Sequence, residues 1–287
     1  MKLRKSISIL VLCIVAFSLA ATLSGILSSH GPGEYEYESI RGQNVKIYGK
    51  GFYQHMSSDV AVQGIAQDYV TLIIGIPLLL LSLYFARKGS LKGQYLLAGT
   101  LGYFLVTYLF YLCMGMYSAL FLLLTLLASV SFYAFILTLL SFNTNNLCSR
   151  FSKKFPTKAV GGFLIFNAFL IGLMWLGVIV PSLMDGTIYP LELEHYTTLI
   201  VQGLDLSILL PASFLSGFLL IRRKAFGYLM APVYVIFLTL LMTALTAKVI
   251  GMTLNGVDAG PAIVIIPLIN AVAVIFMIVV IKSIIKD

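Results

Sequence analysis

Residues 67–88, QDYVTLIIGIPLLLLSLYFARK, and residues 202–223, QGLDLSILLPASFLSGFLLIRR, decide how this chain is read. Each sets a glutamine and an aspartate toward one end of an apolar stretch, a proline inside it and a basic pair at the other end. In the first these are Gln67, Asp68, Pro77 and Arg87-Lys88; in the second they are Gln202, Asp205, Pro211 and Arg222-Arg223. The echo runs on into the next segment, where Gly93, Tyr95 and Ala98 answer Gly227, Tyr228 and Ala231. An acid within hydrocarbon is costly and usually functional, and internal repeats in polytopic proteins tend to place the site where they meet. The two stretches predict one helical unit used twice. The proline follows the acid by nine residues in one and six in the other, so the match is one helix plus its following turn.

Composition sets the class. A chain of 287 residues that is 60% hydrophobic and 10% charged cannot hide that apolar surface in a soluble core of its size. Its mean hydropathy is +0.99. The net charge of +8 would suggest nucleic acid in a soluble protein. Here the basic residues sit in short clusters between apolar segments, which is the positive-inside pattern, so no nucleic-acid partner is expected. Cys13, Cys113 and Cys148 lie too far apart for a disulfide framework, a CxxC pair or a zinc spacing.

A bilayer core takes about 20 apolar residues per helix. On that measure the chain holds about eight spans: Ser6 to Ser28, Asp68 to Ala86, Gly93 to Met114, Tyr117 to Phe142, Ala159 to Leu183, Thr197 to Ile221, Gly227 to Gly251 and Gly260 to Ile285. The fold class is thus an all-α membrane protein, a single polytopic domain over residues 1–287. The clusters Lys2-Arg4-Lys5, Arg87-Lys88-Lys92, Arg150-Lys153-Lys154-Lys158, Arg222-Arg223-Lys224 and Lys282-Lys286 fall at every second connection. All can lie on one side, which puts both termini in the cytoplasm of a cell-membrane protein. A missed or invented span would break that alternation. The first span also has the basic start and small residues of a signal peptide. We read it as retained, because its apolar stretch reaches about Ile26 and the echo needs a partner for the fifth span.

Four spans on each side of the Ser141 to Lys158 joint predict two halves, 1–144 and 159–287, entering the membrane in the same direction as a parallel repeat. On the outer side, residues 29–67 form a long loop containing Glu34-Tyr35-Glu36-Tyr37 and Asn44-Val45-Lys46-Ile47-Tyr48, whose alternation favours a strand or hairpin. A small outer-face cap is expected there, with a shorter counterpart from Met184 to Tyr196.

At a rise of about 1.5 Å per residue from the inner boundary, Asp68 lies roughly 27 Å up and Asp205 roughly 24 Å up. Asp68 reads as an N-cap or interfacial acid at the start of its helix. Asp205 is deeper. Gln202 at i−3 and Thr198 beyond it share its face, and Lys248 reaches a similar level, so an Asp205–Lys248 ion pair is allowed. Asn167 either lines the same cavity or glues helices. The candidate substrate-binding set is Asp205, Gln202, Asp68, Lys248 and Asn167. Prolines 77, 211, 232 and 267 are expected to kink their helices.

Enzymatic readings need a constellation of residues, and most fail on inventory. Only His30, His55 and His195 exist, so multi-histidine clusters and HExxH spacing are absent, as are a rhomboid-type serine context, repeated aspartate motifs and a reductase cysteine pair. No catalytic residue, cofactor or metal is assigned. His55, Asp59 and His195, with Asp185, Glu192 and Glu194, are weak metal candidates should their loops converge.

The run from Gly51, Gly-Phe-Tyr-x5-Asp-x3-Gln-Gly-x3-Asp-x2-Thr-Leu, with Pro77 and Arg87-Lys88-Gly89-Ser90, resembles a group of uncharacterised prokaryotic eight-span integral membrane proteins. Gln202-x2-Asp205-Leu206-x4-Pro211 with Arg222-Arg223 and Gly227-Tyr228 is similar to that group's second landmark. The resemblance covers about a third of the chain. It implies the eight-span fold and attention to Asp59, Asp68, Gln202 and Asp205, and supplies no activity.

Three functional classes stay open. The first binds or transports a small solute, ion or lipid through an outward-facing cavity, with membrane lipids as neighbours. The second is a membrane-embedded enzyme acting on a lipid at the outer leaflet, and the third is a structural or signalling subunit. No ATP-binding motif is present, so uphill transport would need an ion gradient or a partner.

Overall fold

The first helix, α1 (Lys2–Leu27), leads into a hairpin of β1 (Tyr35–Glu38) and β2 (Asn44–Ile47) in a computed structural model that describes residues 2–114 and 116–285. Then come α2 (Ser58–Arg87), α3 (Leu91–Met114), α4 (Phe121–Leu140), α5 (Thr157–Met184), α6 (Ile200–Ile221), α7 (Ala225–Leu254) and α8 (Ala262–Ser283). All eight helices are long and apolar enough to cross a membrane, the architecture of a multi-pass membrane protein. The expected spans are present, with ends moved by a few residues. One move is larger. Residues 58–67, expected in the loop, are the first turns of α2, so Asp68 is not at a helix start. The Lys2 side chain and Lys286, placed in the terminal basic clusters, lie outside the described residues.

The alternating stretches after α1 pair as expected of them, antiparallel, with Tyr35 opposite Ile47 and Glu38 opposite Asn44. Connections at the hairpin's end of the bundle hold every acid but Asp287, which lies outside the described residues, or lead to it within a few turns. The other end holds the basic clusters. There Ser152 N donates to Ser283 O (2.8 Å) and Ile285 N to Arg150 O (2.9 Å), stitching the connection between α4 and α5 to the end of α8.

Helices α3 and α7 lie back to back at the centre. Helices α2 and α4 flank α3, α6 and α8 flank α7, and α1 leans on α2 and α4 while α5 rests on α6. Two contacts cross the centre: α2 also packs on α7, and the start of α6 packs on α3. Lipid tails are as apolar as leucine, so close packing and internal hydrogen bonds hold such helices together. The centre supplies both. Tyr95, Tyr103, Phe104 and Tyr108 of α3 are fully buried, and Tyr95 Oη donates to Tyr228 O across the α3–α7 seam (2.8 Å).

Helices α2 and α6 share a local path, each feature recurring 134 residues on (71 to 205, 77 to 211, 93 to 227). Each is interrupted by one π turn, Thr71–Gly75 and Asp205–Leu209, just before its proline. Pro77 and Pro211 cannot donate to the carbonyls four residues earlier, and the widened turn re-routes the ladder, Ile76 N to Thr71 O and Leu210 N to Asp205 O. Each helix then ends on a cation over an aromatic ring, Lys88 on Tyr84 (4.4 Å) and Arg222 on Phe218 (5.3 Å). A left-handed residue follows, Gly89 (φ 86°) and Arg223 (φ 52°). Gly93 then packs on the backbone of Phe85-Ala86 and Gly227 on that of Leu219-Leu220, where a Cβ would clash. Prolines 232 and 267 lie inside α7 and α8 without such an interruption.

Candidate functional site

Asp68 lies ten residues into α2 and is 2% exposed, a carboxyl group walled in by α1, α3 and the turn that precedes α2. Tyr53, in that turn, donates to Asp68 Oδ2 at 2.6 Å. Tyr111 of α3 lies 3.2 Å from Asp68 Oδ1 and 3.0 Å from Gly64 O. On α1, Gly25 faces the carboxyl so closely that any Cβ would overlap it. The N-cap reading of Asp68 is therefore replaced by a buried acid, because the polar residues Ser58, Asp59 and Gln63 extend the helix beyond the apolar stretch.

The phenols give Asp68 a choice of proton states. Ionised, it accepts from Tyr53 and Tyr111. Protonated on Oδ1, it donates to Tyr111 Oη, whose own proton turns to Gly64 O. Only one hydroxyl rotates between the two arrangements. Beside it, Gln67 Nε2 donates to Tyr103 Oη and Thr107 Oγ1, both at 3.0 Å, and Thr71 Oγ1 lies 2.8 Å from Tyr103 Oη. Gln67 Oε1 is buried with no hydrogen-bond partner among the described residues. Native structures leave few such atoms, and each asks for a reason.

Asp205 opens the π turn of α6. It is half-buried, and its Oδ2 accepts from Trp175 Nε1 of α5 at 2.7 Å. Counted along the shared path, Asp205 stands where α2 has Thr71, and Asp68 stands where α6 has Gln202. The two acids are thus a turn apart, Asp205 the nearer to the basic end by about 4.5 Å. Thr198, expected on the face of Gln202 and Asp205, precedes the helix, which begins at Ile200.

Lys248, half-buried on α7, interacts electrostatically with both Asp68 and Asp205. It touches neither: among the described residues the one ion pair at contact distance is Glu34–Lys46 (2.9 Å), on the hairpin. The expected Asp205–Lys248 pair is therefore a longer-range interaction shared with Asp68. Asn167 is buried on α5, its Oδ1 without a partner among the described residues, beside the seam where Ser213 of α6 donates to Leu164 O.

Over this end, the hairpin loop and the α5–α6 connection hold each other. Arg41 donates through Nη2 to Glu194 O (3.0 Å) and Tyr196 O, and Gln43 Nε2 donates to Leu191 O (3.0 Å). Ser57 N donates to Tyr196 Oη (3.2 Å), and His195 Nε2 lies 3.0 Å from His55 O. Burial pushes the Glu194 carboxyl above its ordinary range, against a hydrogen bond from Ser57, and pushes the Tyr196 phenol up to about 12. On the exposed hairpin, hydrogen bonding to Lys46 holds Glu34 below its ordinary range, and Lys46 is raised in turn. The loops carrying His55 and His195 do converge, beside the first turn of α2 that holds Asp59. Among the described residues, no group of three His, Cys, Asp or Glu side chains is placed to hold a metal ion.

Sequence reading missed Tyr53, Tyr111, Trp175 and Arg41. Trp175, the one tryptophan, and Arg41, the one arginine of the long loop, were each conspicuous by type. The tyrosines were two of sixteen; Tyr53 stood in the Gly-Phe-Tyr run without being singled out for a role, and Tyr111 carried no mark. No family model, curated protein or solved structure matches the chain.

Proposed function

We propose that this is a cell-membrane protein that binds, and moves across the membrane, a small cation or the amino group of a zwitterionic solute. The site is centred on Asp68, Lys248 and Asp205. The observation that carries the reading is that α2 and α6 both pack on α7, which brings Lys248 within electrostatic reach of an acid from each. With both acids ionised, the two carboxylates and Lys248 leave one negative charge in a low-dielectric setting, which attracts a cation, and protonation of Asp68 cancels it. Asp205, half-buried, receives the solute with Gln202 beside it. Asp68 takes or releases a proton through Tyr111, which links binding to a proton gradient in a chain without an ATP-binding motif. Asn167 is the outlying member, lining the path between α5 and α6.

The same reading takes the chain as two parallel four-helix units, 1–144 and 159–287, supported by the 134-residue recurrence of π turn, proline, cation–ring pair and packed glycine. The hairpin end faces outward with residues 29–57 as a cap over the site, and both termini are cytoplasmic, in keeping with the basic clusters at the other end.

The test is a thermal-stability screen of the purified protein with sodium, potassium, calcium, short amines, amino acids and short carboxylates. We expect stabilisation by a cationic or zwitterionic compound, lost in Asp205→Asn and Asp68→Asn. A ligand whose effect survives both substitutions would sink the reading.

A further inference from the structure

A second candidate site lies at the opposite end of the bundle. A cavity of about 90 Å³ opens there between α1, α2, α3 and the end of α4, with room for several water-sized groups. Arg4 of α1 and Arg87 of α2 both line it. Its floor is apolar, Ile7 and Leu83, and one wall is fixed by Gln94 Nε2 donating to Ser141 Oγ at 2.8 Å. Among the described residues neither arginine has a carboxylate to answer it; Asp287, the last residue of the chain, lies outside them. The chain carries no acid before residue 34, none between 69 and 184 and none between 206 and 257, and the acids of the described residues belong to the hairpin end.

The geometry points to a site for a phosphate-bearing anion, the headgroup of a phospholipid in the adjoining leaflet. Two guanidinium groups on neighbouring helices offer the forked donors that suit phosphate oxygens. The helix ends that carry them lie where headgroups lie in a bilayer. The apolar floor suits the first methylenes of the lipid's acyl chains.

The rest of the molecule supplies an internal control. At the matching positions of α6 and α7, Arg87 is replaced by Ile221 and Gln94 by Tyr228. Tyr228 packs against Phe151 and Phe155 with ring centroids 5.2 and 6.1 Å away. One copy of the turn thus has a polar rim where the other has an aromatic plug. The site belongs to the first alone, although Arg222, Arg223 and Lys224 give the second turn just as much positive charge.

The experiment uses delipidated full-length protein in detergent, with phosphatidylglycerol, phosphatidylcholine or inorganic phosphate added, read by native mass spectrometry and by melting temperature. Wild type should retain phosphatidylglycerol in preference to phosphatidylcholine. R4Q/R87Q should bind it at least about tenfold more weakly, the equivalent of losing one strong charge-assisted hydrogen bond. R87I, which copies the second turn, should reproduce most of that loss. R222Q/R223Q removes the same charge from the same end and should change binding less than about twofold. Stabilisation by inorganic phosphate that R4Q/R87Q abolishes would support the site with a free anion as its occupant. Unchanged phosphatidylglycerol binding in R4Q/R87Q, or an equal loss in R222Q/R223Q, would overturn the proposal.

Discussion

Helices α2 and α6 follow one backbone path and fill it differently. In α2 the acid is sealed, with two phenols on its oxygens and a glycine of α1 pressed against it. In α6 the acid sits a turn lower, half-buried, with one indole N–H as its partner. The position of Asp205 is taken in α2 by Thr71, and that of Asp68 is taken in α6 by Gln202. The π turn and proline are therefore a backbone device indifferent to which polar residue it carries, while the neighbours decide how far that residue is shut off from solvent. The acids that look like equivalents in the amino-acid sequence are partners of different kinds around Lys248.

The comparison can be broken most severely at Gly25. Gly25→Leu drives a side chain into the Asp68 carboxyl, and the cost should exceed about 3 kcal/mol, enough to remove the monodisperse peak in fluorescence-detected size-exclusion chromatography. Next comes Asp68→Leu, which leaves the Tyr53 hydroxyl with only Tyr111 Oη as acceptor (3.2 Å) and Tyr111 donating to Gly64 O alone. We expect a loss of about 2–4 kcal/mol in detergent unfolding titrations. Asp205→Leu strands one indole N–H at a half-exposed site and should cost about 1 kcal/mol. Equal losses for the two acids would erase the distinction drawn between them.

Much of this was legible in advance. Eight apolar runs, five basic clusters in alternation and two alternating stretches in the first loop foretold the helices and the hairpin, because each is a local pattern. The start of α2 was not, since Ser58, Asp59, Gln63 and Gln67 lower the hydropathy of a segment that is nonetheless helical and continuous with the span. The surroundings of Asp68 were out of reach for a different reason. Tyr53 and Tyr111 lie 15 and 43 residues from it, and nothing in either local pattern announces the meeting. The metal reading of the loops was conditional on their converging; His55 and His195 do meet, and the contact is a ring nitrogen on a backbone carbonyl.

Smaller effects sharpen the picture at the two ends. Burial raises the folded-state value of Glu194 above its ordinary 4.5, so below that pH the carboxyl is neutral in both states and imposes no penalty. As pH rises through 4.5, the folded state holds a proton the unfolded state has lost, and the contact between the loops weakens until Glu194 itself ionises. Asp59 opposes that ionisation and His195 favours it. Hydrogen exchange over residues 191–196, corrected for intrinsic rates, should show less protection at pH 7 than at pH 4, and Glu194→Gln should flatten the difference. At the basic end, Arg223 holds a left-handed φ that Gly89 adopts without strain. Arg223→Gly should stabilise the protein by about 0.5–1 kcal/mol, and Gly89→Ala should destabilise it by a similar amount.

The central claim is that Lys248 joins Asp68 and Asp205 into one centre. Double-mutant cycles of Lys248→Met with Asp68→Asn and with Asp205→Asn, read as unfolding free energies in one detergent, test it directly. The account predicts coupling of at least about 0.5 kcal/mol in both cycles. Additivity within about 0.3 kcal/mol in either cycle would contradict it.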